Sequence, residues 1–146
     1  MAEDFAAAQT RTFPQQTDFE AYAAAFGRSL CAGDTVALSG GLGAGKTTFV
    51  RAAVASRHGA QYVTSPTFTF RHRYPGIPPI DHLDLYRLDD PSDLPELGLE
   101  DVFDGSSIVF VEWWTNAPGL LPETRYELTI SGSGTQARTI ALERRP

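Results

Sequence analysis

The stretch Gly40-Gly41-Leu42-Gly43-Ala44-Gly45-Lys46-Thr47 decides the fold of this chain. It matches a pattern of one glycine, four intervening residues and Gly-Lys followed by Ser or Thr, which is typical of phosphate-binding loops. Glycines allow the backbone to curl so that successive N–H groups face an anion, and the following helix adds its positive dipole end. We therefore predict that residues 40–48, up to Thr48, bind the phosphates of a nucleotide.

The segments on either side of the loop are those that a phosphate-binding loop requires. Residues 35–38 form a short apolar run that stops at Ser39, as expected of a buried strand entering a loop. From Lys46 to about His58, apolar residues recur at a helical spacing. In this strand, loop and helix arrangement, Lys46 is predicted to reach the β and γ phosphates, and the Thr47 hydroxyl is predicted to bind Mg²⁺.

The N-terminal part of the chain predicts a tail and one helix. Residues 1–16 are interpreted as a tail that enters an extended segment. Thr17 followed by Glu20 resembles a capping box, and the alanine-rich run over residues 18–30 then predicts a helix that Gly33 terminates.

The rest of the chain alternates short apolar runs with turn residues. We predict strands over residues 65–74 and 80–85, short helices over 90–98 and 99–103, a strand over 107–111 and a terminal hairpin of 125–131 with 139–143. The prediction is a single α/β domain over residues 1–146, a P-loop NTPase-like three-layer sandwich with a mixed sheet and a C-terminal antiparallel hairpin at 125–143.

Composition and charge restrict the class of protein. The chain has 146 residues, 42% of them apolar and 21% charged, which suits one globular domain with a core of its own. Its 18 acidic and 12 basic residues give a formal charge of −6, which disfavours a surface that grips tRNA or DNA phosphates directly. Tight nucleic-acid binding by the bare chain is therefore not expected.

Compartment is inferred from the cysteine count and from the apolar runs. The single cysteine, Cys31, lies in an apolar stretch and is expected in the core, and the absence of a possible internal disulfide suits a reducing cytosol. No basic leader followed by an apolar stretch is visible, and no apolar run approaches transmembrane length. We expect a cytoplasmic protein that makes no contact with a membrane.

Two carboxylates at predicted strand ends are candidate Mg²⁺ ligands. Glu112 follows the apolar run 108–111, and Asp84 lies near the end of the strand predicted over 80–85. Mg²⁺ usually takes one or two carboxylates besides a hydroxyl and waters, and the carboxyl ends of strands form the ligand edge of such a sheet. Glu112 is equally a candidate to orient or deprotonate an attacking water, and either carboxylate can instead be a charged residue facing solvent.

The choice among nucleotide-binding classes depends on the basic residues. Lys46 is the only lysine, and the other 11 of the 12 basic residues are arginines. A small GTPase reads guanine with an N/T-K-x-D element, which needs a second lysine, so that class is disfavoured. A small-molecule kinase, with Arg71, Arg73 and Arg87 as basic lid residues, remains an alternative, as does a nucleotide-gated binding module without turnover.

Five strings of the sequence carry a further signal: Gly43-Ala44-Gly45-Lys46-Thr47-Thr48-Phe49-Val50-Arg51, Ser65-Pro66-Thr67-Phe68, His82-Leu83-Asp84-Leu85-Tyr86-Arg87-Leu88, Gly98-Leu99-Glu100-Asp101 and Val111-Glu112-Trp113. In this order and at this spacing they resemble the TsaE (formerly YjeE) family of ATPases in bacterial tRNA threonylcarbamoyladenosine synthesis. The resemblance covers residues 33–115 densely.

The resemblance implies a function and a site. It implies that ATP and Mg²⁺ bind, with Thr47, Asp84 and Glu112 around the metal, and that Lys46, Glu112 and Asp84 serve hydrolysis. Residues 65–68, with Thr67, would form a switch-like loop near the γ-phosphate, and Trp113 would lie beside the nucleotide. The implied partners are TsaD and TsaB, which transfer the threonylcarbamoyl group to the adenosine beside the anticodon, so that tRNA is contacted only indirectly and the lone chain is a weak, partner-stimulated ATPase.

The sequence also departs from the family pattern. Gly41 stands where the family usually has Asp or Glu, and Trp114 stands where it usually has Pro. Thr135 stands where an arginine is often found, which makes Arg138 the nearest substitute for a nucleotide contact. The three histidines have no metal-ligand spacing and are expected in surface or packing roles: His58, His72 and His82.

Overall fold

A seven-stranded mixed sheet forms the centre of the molecule. The computed structural model describes residues 4–59, 63–64, 66–132 and 136–146. The strand order across the sheet is β1-β7-β6-β2-β5-β4-β3. The strands are β1 (Gln9–Phe13), β2 (Thr35–Ser39), β3 (Arg71–Tyr74), β4 (Ile80–Asp84), β5 (Ile108–Glu112), β6 (Arg125–Ser131) and β7 (Arg138–Arg145).

Four parallel strands are flanked by antiparallel ones. Strands β6, β2, β5 and β4 run parallel to one another. On one side β7 pairs antiparallel with β6, and β1 pairs antiparallel with β7; on the other side β3 pairs antiparallel with β4. The helices are α1 (Gln16–Ser29), α2 (Lys46–His58) and the short α3 (Leu94–Leu97). The described residues also contain four 3₁₀ turns: Pro91–Asp93, Glu100–Phe103, Trp114–Asn116 and Pro118–Leu120.

The sheet is covered on both faces, which gives three layers. Successive residues of a strand point to opposite faces, so Phe110 of β5 packs under α1 and α2 while Val111 joins a smaller core with Leu94 of α3. Near-continuous apolar strands are expected where parallel strands are buried on both faces, and β5 is buried at every position. The predicted α/β sandwich with a mixed sheet and a C-terminal hairpin is confirmed.

The helix that follows the phosphate loop is held by α1. Phe26 of α1 and Phe49 of α2 are both fully buried, with ring centroids 5.8 Å apart. Gly27 lets the two helices approach closely, because a Cβ atom there would lie 2.8 Å from the backbone of Ala53. The position of α2, and hence of the loop before it, is set by this close helix contact.

The strand predicted over residues 65–74 is wrong in its first half. Strand β3 begins only at Arg71, and residues 67–69 form a turn. The N–H of Phe70 donates to the carbonyl of Pro66, and Phe70 has a left-handed φ of 65°, which an extended strand does not allow. The alternation of Thr and Phe therefore belongs to a turn, and Ser65 lies outside the described residues.

Two further expectations at the N-terminal end are corrected, and a third is confirmed in part. The tail that was expected to enter an extended segment contains the edge strand β1, which pairs with β7. Helix α1 begins at Gln16, so Thr17 lies within it, and the side chain of the N-cap residue Gln15 makes no capping hydrogen bond. Cys31 is exposed, because it lies in the turn after α1 where its N–H donates to the carboxylate of Asp34.

The predicted helix of residues 46–58 and the C-terminal hairpin are confirmed, although β7 extends to Arg145. The loop residue Thr135, where a family arginine is often found, lies outside the described residues. No helix within the described ranges is long and apolar enough to cross a membrane.

Candidate functional site

A pocket of about 370 Å³ lies at the carboxyl ends of the parallel strands, over the loop between β2 and α2. The loop turns through Gly43 and Gly45, whose φ values of 76° and 110° are accessible to glycine with little strain. The pocket is lined by Leu42, Gly43, Ala44, Gly45, Lys46, Thr47, Thr48, Thr67, Asp84, Tyr86, Glu112, Trp113 and Arg138. Of the residues predicted for nucleotide binding, only Gly40 and Gly41 at the start of the loop do not line it.

Lys46 is largely buried at the base of this pocket, with 6% of its surface exposed. Its Nζ donates to the carbonyl of Gly40 at 2.6 Å and lies 3.9 Å from the centre of the Trp113 ring. Burial lowers the pKa of Lys46 below its ordinary value of 10.5, and the nearby carboxylates of Glu112 and Asp84 act in the opposite direction. The site therefore holds a desolvated cation where a phosphate would be attracted.

Asp84 and Glu112 are brought together by the pairing of β4 with β5. They are register partners at the ends of these parallel strands, and both are buried. The Thr67 hydroxyl donates to Oδ2 of Asp84 at 3.1 Å, and the N–H of Tyr86 donates to Oδ1 at 2.9 Å. The turn of residues 66–70 is thereby tied to the carboxylate that the sequence singled out.

The residues present fit a Mg²⁺ ion. Among the described residues no three His, Cys, Asp or Glu side chains cluster as a protein-only metal site would require. Mg²⁺ instead prefers oxygen ligands from one or two carboxylates together with waters and phosphates. Thr47, Asp84 and Glu112 supply such oxygens around one pocket, which is the donor set expected of a phosphate-loop protein.

Two adjacent tryptophans border the loop in different ways. Trp113 has a left-handed φ of 55°, and its ring lies over Lys46 and against Tyr86, with ring centroids 5.0 Å apart. The indole N–H of Trp114 donates to the hydroxyl of Ser39 at 2.9 Å, just before the loop. Tyr86 was missed as a site residue, although it lies two residues after Asp84 in the sequence.

Arg138, from the last strand, reaches the phosphate loop. Its Nε donates to the carbonyl of Ala44 at 2.9 Å, and Nη2 lies 3.4 Å from the carbonyl oxygen of Gly43. Both carbonyls belong to the loop itself, so the guanidinium satisfies backbone acceptors of the loop. Arg138 was predicted as a nucleotide contact, and the structure adds a role in supporting the loop.

A second pocket of about 180 Å³ adjoins the first. The two pockets share Gly45, Thr48 and Arg138. The additional lining residues come from the N-terminal segment and include two aromatic rings: Phe13, Pro14, Gln16 and Phe19, together with Gln136. No sequence signal singled out these residues, because the β1–β7 pairing brings them there.

The arginines considered for a kinase lid lie elsewhere. Arg71 and Arg73 of β3 both donate to the buried carboxylate of Asp81, at 2.9 and 3.2 Å. Arg87 lies over the ring of Phe68, 4.1 Å from its centre. None of the three lines the phosphate pocket, so the structure offers no support for a basic lid.

His82 is the other residue whose role was missed. It was expected in a surface or packing role, but it is fully buried and its Nε2 lies 2.5 Å from Oε2 of Glu112. Side chains alternate between the two faces of a strand, so His82 lies on the same face as Asp84. This pattern in the sequence could have identified His82 as a residue near the site.

Comparison with known proteins identifies the family. A family model described as "Threonylcarbamoyl adenosine biosynthesis protein TsaE" matches residues 13–140. The chain belongs to the TsaE family. The family resemblance inferred from the five strings is therefore confirmed.

Individual members of the TsaE family are similar over most of the chain. The tRNA threonylcarbamoyladenosine biosynthesis protein TsaE of Bacillus subtilis is 38% identical over 111 residues, which are 75% of this chain and 69% of that protein. The protein of the same name from Treponema pallidum is 37% identical over 105 residues, or 72% of this chain and 76% of that protein. The crystal structure of YdiB from Bacillus subtilis superimposes with a TM-score of 0.76 at 28% identity, covering 96% of this chain and 88% of that one.

Proposed function

We propose that this chain is a Mg²⁺-dependent ATPase of tRNA threonylcarbamoyladenosine biosynthesis, which uses ATP hydrolysis to cycle a TsaB and TsaD transferase complex. One observation carries the proposal: loop residues 42–45, Lys46, Thr47, Asp84 and Glu112 all line a single pocket. Membership of the TsaE family supports the pathway. The relatives from Bacillus subtilis and Treponema pallidum carry the name of that biosynthesis.

The proposed roles in hydrolysis follow from charge and position. The loop N–H groups and the N-terminus of α2 bind phosphate oxygens, and Lys46 contacts the β and γ phosphates. Thr47 and Asp84 hold Mg²⁺, which when bound neutralises phosphate charge. Glu112 either joins them or orients and deprotonates the attacking water.

The adjoining pocket is proposed to receive the nucleoside part of ATP. It opens beside Gly45 and Thr48, which also line the phosphate pocket, and it is lined by the rings of Phe13 and Phe19. Aromatic walls suit a flat base. This would also give β1, the edge strand at the N-terminal end, a function beyond pairing with β7.

A partner is proposed to complete the catalytic site. Among the described residues Arg138 is the one arginine that lines the phosphate pocket, and it already donates to loop carbonyls. An arginine finger supplied in trans is a common way to stabilise the charge of phosphoryl transfer. TsaB and TsaD are the proposed partners, and the net charge of −6 fits a chain that leaves the tRNA to them.

The proposal is tested by measuring phosphate release from ATP by the purified chain, with and without TsaB, TsaD and Mg²⁺. We expect slow release by the chain alone, stimulation by the partners and loss on Mg²⁺ chelation. Omitting the chain from a reconstituted tRNA modification reaction should stop repeated turnover. Phosphate transfer to a small molecule would favour the kinase alternative, and ATP binding with no ADP formed even with partners would favour a nucleotide-gated binding module.

A further inference from the structure

A buried histidine lies directly against Glu112. His82 on β4 has no exposed surface, and Glu112 has 2% exposed. The ring nitrogen Nε2 of His82 lies 2.5 Å from Oε2 of Glu112. The other ring nitrogen, Nδ1, is buried and has no hydrogen-bond partner among the described residues. Within the described part of the chain, the polar contact of this imidazole is therefore with Glu112 alone.

The sheet explains how the two side chains meet. In the parallel pairing of β4 with β5, His82 is opposite Phe110 and Asp84 is opposite Glu112. Because strand residues alternate between faces, His82 and Asp84 share one face of the sheet. His82 thus lies one step below the ligand edge, where it contacts the Glu112 carboxylate from the side of the core while Glu112 lines the phosphate pocket.

Packing alone does not account for a histidine at this position. Its neighbours on β4 include the buried apolar side chains of Ile80 and Leu83. A buried ring nitrogen without a partner costs on the order of 1–3 kcal/mol, a cost that a leucine of similar size would not have. What a leucine would lack is the contact with Glu112.

We propose that His82 is a positioning residue, whose Nε2–H donates to Glu112 and orients this carboxylate toward the phosphate pocket. The inference rests on the proposed function, in which Glu112 acts at that pocket. A glutamate side chain has several rotatable bonds. A hydrogen bond that fixes one carboxylate oxygen of Glu112 therefore excludes rotamers in which the carboxylate turns away from the phosphate pocket. A misplacement of about 1 Å at a reacting group lowers turnover by about 100-fold.

The kinetic experiment compares three variants of the full chain. His82→Leu removes the donor, and His82→Gln keeps an amide N–H at about the position of Nε2. His72→Leu is the matched control, because His72 on β3 is the register partner of His82 and, among the described residues, forms no hydrogen bond with Glu112. We expect the kcat of His82→Leu to fall by about 100-fold while the Kd for ATP changes less than about twofold. His82→Gln should recover most of kcat, and His72→Leu should match the wild-type chain.

A second measurement is independent of ATP hydrolysis. Urea unfolding of the full chain without nucleotide or Mg²⁺ measures two double-mutant cycles, each of which combines Glu112→Gln with a variant of His82. One cycle uses His82→Leu and the other uses His82→Gln. The His82→Leu cycle should show energetic coupling between the two positions. A parallel cycle with His72→Leu should show none.

The two measurements separate failure of this inference from failure of the proposed function. A wild-type chain that never hydrolyses ATP, even with its partners, contradicts the proposed function, and the unfolding cycle then decides the inference alone. Wild-type hydrolysis by His82→Leu, or a folded His82→Gln as impaired as His82→Leu, would overturn the positioning role. So would the absence of coupling between positions 82 and 112.

Discussion

The ammonium of Lys46 lies 3.9 Å from the centre of the Trp113 ring and 2.6 Å from the carbonyl oxygen of Gly40. A cation over the face of an indole is stabilised by the ring quadrupole, most strongly where water is excluded. The only lysine of the chain is therefore held between the phosphate loop and the residue that follows Glu112. Lys46 thus links the loop after β2 to the end of β5, beside the hydrogen bond from Trp114 to Ser39.

Removing this ammonium should abolish nucleotide-dependent activity. In Lys46→Ala the contact to the β and γ phosphates is lost, and we expect ATP hydrolysis to fall by at least about 100-fold, as when one preorganised charge-stabilising donor is deleted. Phosphate release at saturating ATP measures the effect. Unchanged hydrolysis by Lys46→Ala would rule out the assignment of the loop.

The same lysine should leave a signature in the pH dependence of stability. Its pKa in the folded chain lies below 10.5, so between that lowered pKa and 10.5 the unfolded chain binds more protons. In this pH window the contribution of Lys46 to the free energy of unfolding should therefore increase as the pH rises. Lys46→Met should lose that contribution, which urea unfolding of both proteins at matched pH and ionic strength measures.

Tyr74 also contributes to the pH dependence of stability, so the effect of Lys46 must be taken from the difference between the wild-type chain and Lys46→Met. Burial raises its pKa above 10.0 in the folded chain, so its contribution to the free energy of unfolding falls as pH rises through the same region. Because Lys46→Met leaves Tyr74 in place, subtracting the two pH curves isolates the lysine. A difference curve that is flat up to pH 10.5 would contradict the lowered pKa of Lys46.

Glu112 is expected to matter more for hydrolysis than for ATP binding. Loss of a general base or of a water-orienting carboxylate lowers rates by about 100-fold or more, and we expect this for the kcat of Glu112→Ala. The Kd for ATP, measured by equilibrium titration, should change by less than about threefold, since the loop and Lys46 remain. Equal losses in kcat and affinity would make Glu112 a binding or folding residue instead.

Arg138 is expected to act on ATP affinity through the loop. Its guanidinium donates to the carbonyl of Ala44, and a charged hydrogen bond of this kind contributes about 1.5–3 kcal/mol. Arg138→Gln should therefore weaken ATP binding by about 10-fold or more, which isothermal titration measures. Arg144→Gln, on the same strand but with its guanidinium over the Tyr126 ring, is the matched control and should bind ATP normally.

A side chain added at Gly27, in the contact between α1 and α2, should lower the stability of the chain. In Gly27→Ala the new Cβ would lie 2.8 Å from backbone atoms of Ala53, and overpacking of this kind costs about 1–3 kcal/mol. Chemical unfolding should show this loss in Gly27→Ala. Gly119→Ala, where a Cβ meets nothing within 4 Å, should change stability by less than about 0.5 kcal/mol.

The phosphate loop and its flanking elements were predictable because their signals are local. The glycine spacing, the apolar run of β2 and the helical spacing after Lys46 all lie within residues 35–58, and the structure has β2 and α2 there. The C-terminal hairpin was predictable for the same reason. The turn at residues 66–70 was not, because alternating Thr and Phe suggest a strand until the left-handed φ of Phe70 is known.

The assembled site depends on contacts between distant parts of the chain. Strand-end positions alone identified Asp84 and Glu112 as candidates, but only the parallel pairing of β4 with β5 makes them register partners and brings His82 against Glu112. The same holds for Arg138, which reaches Ala44 because the last strand pairs beside β6. Local propensity defines a loop that can bind phosphate, whereas sheet order, which follows from burying apolar faces, determines which side chains surround it.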